Sequence, residues 1–297
     1  MSNPSWHVLG AGAMGCLFAA GLTAGGCDIH LLLRRRNEIT DNTIRVDAGE
    51  LQHSYTVSLD DSTGTSPIQH LLVCTKAYDM VSAVQGVRHR LTPETPLVLA
   101  ANGMGYLEAI EALLPNNPIY CCLSTEGAYR RAPLHICHAG QGQNWLGSPS
   151  RLPRPDWFAH WQSGPLECHW QDDILSAQWH KLALNCAVNP LTALHRCSNG
   201  ALLRQPELKQ QLSQLIEEIS LISAAAGFDN TAASLHTQAE AVITNTAANR
   251  SSMLQDVEAG RSTEIDYITG YLLRTAERLG VNAPLNRKLY QEIIALG

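Results

Sequence analysis

The chain lacks the features that mark membrane, secreted and nucleic-acid-binding proteins. No run of its 297 residues approaches the roughly 20 apolar residues of a membrane helix. Positive charge is also scarce: the net charge of -6 argues against a general partner of nucleic acid or of an anionic membrane, since both are bound by basic fields. Trp6–Leu9 is strand-like and is not preceded by a signal-peptide pattern. We therefore expect a cytoplasmic protein with a small-molecule ligand, no nucleic-acid partner and no membrane partner.

A disulfide framework is missing too. The nine cysteines are odd in number and scattered, which favours buried thiols in a reducing compartment. His135, Cys137 and His138 lie close together, but their spacing matches no familiar zinc pattern. We predict a strand and a turn there and no metal. With 45% hydrophobic and 16% charged residues, the composition is typical of a soluble globular protein.

The first half alternates apolar strand-like runs with helical stretches, which predicts a doubly wound, mostly parallel sheet of the Rossmann type. The alternating runs are Trp6–Leu9, Ala13–Ala24, Asp28–Leu33, His70–Thr75, Tyr78–Val87, Pro96–Ala101, Tyr106–Leu114 and Ile119–Leu123. A short β excursion is expected between Val46 and Leu59, and edge strands or a hairpin between Gly127 and Gly147. The prolines of Ser148–Gly164 are expected to break regular structure near a domain boundary.

Helical periodicity dominates after Asp172. The predicted helices are Ile174–Asn189, stopped by Pro190, then Pro206–Ala226, Thr231–Ala248, Thr263–Leu279 and Pro284–Leu296. The sequence thus predicts an N-terminal α/β domain over 1–171 and an all-α C-terminal domain over 172–297. Apolar faces on the last helices are compatible with a monomer or with a homodimer.

A glycine pattern follows the first strand and opens a helix. In Gly10-Ala11-Gly12-Ala13-Met14-Gly15 the glycines permit a tight turn and let backbone N–H groups approach a pyrophosphate. The position between strand and helix, with a second strand ending near Leu33, predicts that these six residues bind a dinucleotide. The alternative is a glycine turn that only allows close helix packing.

The second strand ends without the acidic residue that usually contacts the adenosine ribose of NAD. Arg34-Arg35-Arg36 stands there instead, so we predict NADP(H), with Arg34 on the 2′-phosphate and Arg35 and Arg36 in a solvated loop. Lys76 and Asn102 follow two other strands, where open α/β sheets bind ligands. Asn102 can reach a nicotinamide ribose or a substrate carboxylate, and Lys76 can assist electrostatically, although either could be an ordinary turn or surface residue.

Lys181, Asn185 and Asn189 recur at i, i+4 and i+8 of an otherwise apolar helix, so one amine and two amides share a face. Unpaired amides and an ammonium in an interior would cost several kcal/mol, so this face needs a polar partner. A bound polar ligand would provide one. The alternative is a helix whose asparagines cap neighbouring loops and whose lysine points into water.

Two more polar segments are Asn249–Asp256 and Gly260–Tyr267. Together with the motifs above, they make the sequence resemble the ketopantoate reductase (2-dehydropantoate 2-reductase) family over nearly the full chain. The motifs that carry the resemblance are Gly10-Ala-Gly-Ala-Met-Gly15, Asn102-Gly-Met-Gly105, Lys181–Ala193, Asn199-Gly200, Ser251–Asp256 and Thr263–Tyr267. One departure is Glu126-Gly-Ala-Tyr129, where the family generally has smaller residues near the nicotinamide.

The resemblance implies NADPH-dependent reduction of ketopantoate to (R)-pantoate in pantothenate and coenzyme A biosynthesis. Lys181 would be the general acid and Glu264 its neighbour beside the cofactor. The implied substrate contacts are Asn102, Asn185, Asn189, Asn199 and Ser252, with Asn249 as a further neighbour.

Simpler structural roles stay open for two of these residues. Glu264 could occupy the first turn of a helix and Ser252 could be a helix N-cap. Two rival functions stay open as well: a reductase of another 2-oxo or 3-oxo acid, and a non-catalytic NADPH-sensing protein.

Overall fold

The computed structural model describes residues 3–34, 39 and 41–296, and contacts divide the chain into two compact units. Unit 1 comprises Met1–Ala101 and Tyr106–Ile174, and unit 2 comprises Asn102–Gly105 and Leu175–Gly297. The assignment of functional domains to 1–171 and 172–297 stays a prediction. Arg35 and Arg36 lie outside the described residues.

Unit 1 is built from strands and helices in alternation, and most of them lie where the apolar runs predict them. Its strands are β1 Ser5–Leu9, β2 Asp28–Leu33, β3 Thr43–Ala48, β4 Leu51–Thr56, β5 Ser58–Asp61, β6 His70–Val73, β7 Leu97–Leu99, β8 Ile119–Ser124, β9 Gly127–Ala132, β10 His135–Gly140, β11 Asn144–Gly147 and β12 Cys168–Trp170. Its helices are α1 Ala13–Ala24, α2 Ala77–Val87, α3 Leu107–Leu113 and α4 Phe158–Ser163. The prolines before α4 do not exclude a helix from 148–164, contrary to our prediction.

The main sheet has the strand order β12-β11-β8-β7-β6-β1-β2-β5. Every pairing from β8 to β5 is parallel, and β11 runs antiparallel to β8. The parallel core follows from the near-continuous apolar strands, such as Leu71–Val73, whose residues are all buried, as is typical of parallel sheets. The predicted Rossmann-type fold class is confirmed.

A second sheet has the order β4-β3-β10-β9 and packs against α1. The predicted β excursion and the predicted hairpin supply its strands: β3 pairs with β4, and β9 pairs with β10. The buried side chains Ile44, Val46 and Ile136 join Leu17 and Phe18 of α1 in one apolar core. The small sheet therefore fixes the helix that opens at the glycine turn.

A buried polar cluster lies on the main sheet. The Arg90 guanidinium, 3% exposed, donates to Asp60 at 2.7 Å and lies 3.3 Å from Nε2 of His7. The His7 ring stacks on His30, with 4.7 Å between ring centroids. Burial, His30 and Arg90 lower the pKa of His7 from 6.5 to about 4, against the opposing effect of Asp60.

This depressed pKa predicts a stability that depends on pH. Between pH 4 and 6.5 the unfolded chain binds a proton at His7 that the folded chain does not, so the stabilisation is complete above pH 6.5 and is lost as the pH falls toward 4. The expected loss is about 3 kcal/mol. Urea unfolding at pH 4.5 and pH 7 should show a smaller difference for His7→Gln than for the wild type. The exposed His53→Gln is the control, and an unchanged difference in His7→Gln would contradict this role.

Unit 2 is helical. Its helices are α5 Ile174–Leu194, α6 Ala201–Arg204, α7 Pro206–Ala225, α8 Asp229–Asn245, α9 Ser252–Glu258, α10 Thr269–Leu279 and α11 Pro284–Ile294. A 3-10 turn, Ile265–Tyr267, precedes α10. Within the described part of the chain, no helix is long and apolar enough to cross a membrane.

Three predicted helices have wrong bounds, and one of them, Thr231–Ala248, is displaced by two to three residues to Asp229–Asn245. Helix α5 continues through Pro190 to Leu194, because Leu191 and Ala193 of the extra turn are buried in the core of unit 2, and that packing outweighs the backbone hydrogen bond that proline removes. The predicted helix Thr263–Leu279 is interrupted at Ile268. The carbonyl of Tyr267, which would bond within a continuous helix, instead accepts a hydrogen bond from the amide of Met104 at 2.8 Å.

All nine cysteines are free thiols. Burial raises the pKa of Cys16 to about 12 and that of Cys27 to about 11, so both are protonated and unreactive at neutral pH.

Candidate active site

The three glycines of the glycine turn differ in whether the fold allows a side chain. Two of them exclude one, and the third has free space around its Cα. Gly10 has a φ of 107°, and a Cβ on Gly15 would lie 1.9 Å from the carbonyl oxygen of Gly10, so both positions exclude a side chain. A Cβ on Gly12 would meet no atom within 4 Å. Gly12 begins α1 as its N-cap, and its open Cα leaves room for a group that approaches the first helical N–H donors.

Three more predicted cofactor residues lie in the same segment. Ala11, Ala13 and Met14 are partly buried and pack against the core of unit 1. Their side chains therefore hold the turn in place, and the backbone N–H groups are the available ligand donors.

The carboxyl ends of β1, β2 and β6 lie at one edge of the parallel sheet, which brings Arg34 and Lys76 to the same edge as the glycine turn. Arg34 follows β2, is 78% exposed in its side chain, and donates to Asp79 in the first turn of α2 at 2.6 Å. Lys76 is the N-cap residue of α2 and is partly buried. An exposed ion pair adds little stability but orients the guanidinium.

In unit 2, Lys181 and Asn102 meet although 79 residues separate them. The ammonium of Lys181 donates to Oδ1 of Asn102 at 3.0 Å. Asn102 is placed in unit 2 by its neighbours: a Cβ on Gly103, which has a φ of 80°, would lie 2.3 Å from the carbonyl oxygen of Tyr267. Only glycine allows this approach, so Gly103 brings the amide of Asn102 to the lysine.

Glu264 belongs to the same corner of unit 2. Its residue is 5% exposed, and its carbonyl accepts hydrogen bonds from the amides of Tyr267 at 3.0 Å and Ile268 at 3.1 Å. It precedes the 3-10 turn rather than a long helix. The turn that positions Glu264 is therefore the one that receives the Asn102–Gly105 segment.

Asn185 and Asn189 lie on α5 one and two turns beyond Lys181. Asn185 is partly buried and Asn189 is 9% exposed. Among the described residues, neither side chain has a hydrogen-bond partner, although Lys181 has one. Two amides of low exposure without protein partners are available to a polar ligand.

The remaining predicted substrate residues lie around the segment before α9. Nδ2 of Asn199 donates to Oγ1 of Thr246 at 2.9 Å, while its Oδ1 is buried and without a partner in the described part of the chain. The carbonyl of Asn249 accepts from the amide of Asn199 at 3.0 Å, and the Asn249 side chain is exposed. Ser252 is exposed and is the first residue of α9. The N-cap is Ser251 and not Ser252.

Two family models cover almost the whole chain. Residues 6–151 match "Ketopantoate reductase PanE/ApbA", and residues 173–296 match "Ketopantoate reductase PanE/ApbA C terminal". The chain belongs to the ketopantoate reductase family. It is an oxidoreductase, and the resemblance predicted from its motifs is confirmed.

Relatives of the ketopantoate reductase family align end to end. The chain is 37% identical over 301 residues to the 2-dehydropantoate 2-reductase of Vibrio cholerae serotype O1, covering 97% of this chain and 96% of that protein. It is 35% identical over 290 residues to that of Yersinia pestis, covering 96% and 93%. Membership of this family supports a nicotinamide cofactor.

Solved structures share the fold. The crystal structure of a probable 2-dehydropantoate 2-reductase from Bacillus subtilis has a TM-score of 0.87 and 26% identity, over 99% of this chain and 100% of that one. A D-mandelate dehydrogenase bound to NADH and anilino(oxo)acetate has a TM-score of 0.87 at 20% identity, covering 98% of both chains. At that identity the second likeness shows the fold alone.

The segment that departs from the ketopantoate reductase pattern has a structural role at Glu126. Its carboxylate is 2% exposed and accepts hydrogen bonds from His138 at 2.7 Å and from the amide of Gly142 at 2.8 Å. Tyr129 is 46% exposed on β9. His135 pairs with Asp47, and the described residues hold no group of three or more ligands placed for a metal ion.

Two buried hydroxyl residues were not predicted: Thr192, which extends the polar face of α5, and Ser251, the N-cap of α9. Thr192 stands three positions after Asn189, and its hydroxyl lies 2.7 Å from that of Ser251. Both are buried, at 0% and 7% exposure. The signals were present: Thr192 continues the spacing of Lys181, and a serine before the apolar period of α9 is a usual N-cap.

Proposed function

We propose that the chain reduces ketopantoate to (R)-pantoate with NADPH, in pantothenate and hence coenzyme A biosynthesis. The observation that carries the proposal is the hydrogen bond from Lys181 to Asn102, in a unit where Asn185 and Asn189 have no partner among the residues that the structure describes. A 2-oxo acid has a carbonyl and a carboxylate that need such groups. The relatives in Vibrio cholerae and Yersinia pestis carry the name of this reaction.

Lys181 acts as the general acid. A dihydronicotinamide, when bound, would supply a hydride to C2 of the oxo acid, and negative charge would develop on the C2 oxygen. An ammonium beside that oxygen stabilises the charge and delivers the proton that completes the hydroxyl. The Asn102 oxygen, which accepts from Lys181 at 3.0 Å, orients the ammonium without adding a formal charge.

Glu264 supports the charged state of the lysine. Burial favours the neutral form of an amine, and a nearby carboxylate favours the cation. Glu264 is 5% exposed and lies in the turn that receives the Asn102–Gly105 segment, which supports its assignment as the counter-charge and as a neighbour of the cofactor.

The substrate is held by neutral groups. Asn185 and Asn189 have amides without a partner in the described ranges of the chain, Asn199 has a buried Oδ1 that can accept from a hydroxyl, and Ser252 is exposed at the start of α9. Asn249 contributes through its carbonyl, which holds the amide of Asn199. Neutral donors bind a carboxylate and hydroxyls and leave Lys181 as the one cation assigned to the reaction.

The glycine turn and Arg34 are assigned to NADPH. The six residues Gly10–Gly15 receive the pyrophosphate, Asn102 and Lys76 assist near the ribose, and Arg34 binds the 2′-phosphate. The exposure and position of Arg34 support this role. Its side chain is 78% exposed at the end of β2, where an NAD-preferring chain has an acid. Asp79 holds it there at 2.6 Å.

Arg34→Gln should lower kcat/KM for NADPH and leave that for NADH within a few-fold. A charge-assisted hydrogen bond contributes about 1.5–3 kcal/mol, so the expected loss is roughly 10- to 100-fold. Steady-state kinetics with both nucleotides measure the ratio. Arg88→Gln, an exposed arginine at the end of α2, is the control for loss of positive charge. Equal losses with both nucleotides would reject the 2′-phosphate contact.

A substrate panel tests the reaction. We expect NADPH oxidation with ketopantoate at a kcat/KM well above that with 2-oxoisovalerate, which lacks the hydroxymethyl group. Preference for 2-oxoisovalerate or for a 3-oxo acid would identify a related reductase instead. No oxidation with any oxo acid would favour a non-catalytic NADPH-sensing protein.

A further inference from the structure

A chain of hydrogen bonds joins α5 to the start of α9. The hydroxyl oxygen of Thr192 lies 2.9 Å from the carbonyl oxygen of Asn189 and 2.7 Å from the hydroxyl oxygen of Ser251. The hydroxyl oxygen of Ser251 accepts from the amide of Leu254 at 3.1 Å. The chain therefore begins at a predicted substrate residue, Asn189, and ends beside another, Ser252.

The number of hydroxyl hydrogens limits which of these hydrogen bonds can form at the same time. Each hydroxyl has one hydrogen, and the carbonyl of Asn189 can only accept. The hydroxyl of Thr192 donates to that of Ser251 at 2.7 Å, and the carbonyl oxygens of Asn189 at 2.9 Å and Val188 at 3.1 Å lie within reach of the same hydroxyl. Both residues are buried, at 0% and 7% exposure, where a hydrogen bond between two hydroxyls is stronger than in water.

Backbone hydrogen bonds also hold residues 247–249, which precede α9. The amide of Asn199 donates to the carbonyl of Asn249 at 3.0 Å, and the amide of Gly200 donates to the carbonyl of Ala247 at 3.0 Å. These bonds fix 247–249 to the turn before α6. The link between Thr192 and Ser251 ties the residue before Ser252 to α5, next to the apolar contacts of Met253 and Leu254.

We propose that Thr192 and Ser251 are positioning residues, which set the spacing between Asn189 and Ser252 and thereby the affinity for the oxo acid. This inference rests on the proposed function, in which Asn189 and Ser252 hold the substrate. Among the described residues, the contacts of the two hydroxyls are with Val188, Asn189, Leu254 and each other, and neither accepts from Lys181. Loss of the link should therefore raise KM for the oxo acid more than it lowers kcat.

Thr192→Val removes the hydroxyl and keeps the shape of the side chain. We expect KM for ketopantoate to rise about tenfold, with kcat within about threefold and KM for NADPH unchanged, because small misplacement of binding groups weakens substrate binding. Thr192→Ser restores the hydroxyl and should return KM to within about threefold of the wild type. Thr275→Val is the matched control: Thr275 is 3% exposed and its hydroxyl bonds to neither Asn189 nor Ser251.

Hydrogen–deuterium exchange gives a readout that is independent of turnover. Amides of 247–254 should exchange faster in Thr192→Val and in Ser251→Ala than in the wild type, and the double variant should show less than the sum of the two effects. An unchanged KM for the oxo acid, or unchanged exchange in Thr192→Val, would overturn the proposal. A wild type that reduces no oxo acid would reject the proposed function instead, and exchange alone would then decide whether the link orders the segment.

Discussion

Lys181→Met should lower kcat by roughly 10²- to 10⁴-fold, the usual range for loss of a general acid. Methionine keeps the length and the apolar stem of the side chain but removes the ammonium that donates to Asn102 at 3.0 Å. The alkoxide formed by hydride transfer then has neither its counter-charge nor its proton donor. NADPH binding should change little, because the glycine turn and Arg34 lie in unit 1.

The matched control for Lys181→Met is Lys209→Met. Lys209 is an exposed lysine of α7 whose ion pair with Glu240 spans 3.8 Å in solvent, so its loss should not change kcat. Initial rates at saturating NADPH and ketopantoate give kcat, and fluorescence titration gives the Kd for NADPH. Turnover of Lys181→Met close to that of the wild type would reject the lysine as the acid.

Gly15→Ala should lower the stability of the protein, whereas Gly12→Ala should lower its affinity for NADPH. A Cβ at Gly15 would lie 1.9 Å from the Gly10 carbonyl oxygen, so Gly15→Ala should destabilise unit 1 by on the order of 3 kcal/mol. A Cβ at Gly12 meets no protein atom, and the φ of -79° at Gly12 suits alanine. Gly12→Ala should therefore fold normally and raise the Kd for NADPH at least about tenfold, because its methyl group would fill the space that we propose for the pyrophosphate.

Gly86→Ala is the control for the glycine pair. Gly86 lies within α2, and a Cβ there meets nothing within 4 Å, so alanine should stabilise the chain by about 0.5–1 kcal/mol without affecting the nucleotide. Thermal unfolding separates the two effects, and titration with NADPH measures the Kd. Wild-type affinity in a folded Gly12→Ala would contradict the role of the turn.

The α/β half was predictable because its signals are local. Strand and helix periods succeed one another from Trp6 to Leu123, and parallel strands with helical crossovers have few possible arrangements. The open position at Gly12 was implied by the glycine spacing. The distinction between Gly12 and Gly15 was not, since it depends on which carbonyl each Cα faces.

The helical half was harder because tertiary contacts set its bounds. Pro190 is a local stop signal, but burial of Leu191 and Ala193 carries α5 past it. The break at Ile268 arises because the Tyr267 carbonyl bonds to Met104, which is far away in the sequence. No local pattern contains that information.

In the candidate site, too, local spacing predicts some features and tertiary contacts set the others. The face of α5 could be read from the spacing of Lys181, Asn185 and Asn189. The partner of Lys181 could not, because Asn102 reaches it only through the turn at Gly103 and its approach to Tyr267. Residue roles that no spacing encodes came from the family resemblance, and they remain proposals.

The most direct test of the proposed reaction follows the hydride itself. Purified protein is mixed with ketopantoate and NADPH that carries deuterium at both C4 positions of the nicotinamide, and the product is analysed by mass spectrometry and NMR. We expect (R)-pantoate with one deuterium, located at C2. Oxidation of the nucleotide without labelled pantoate, or no reaction at all, would contradict the assignment.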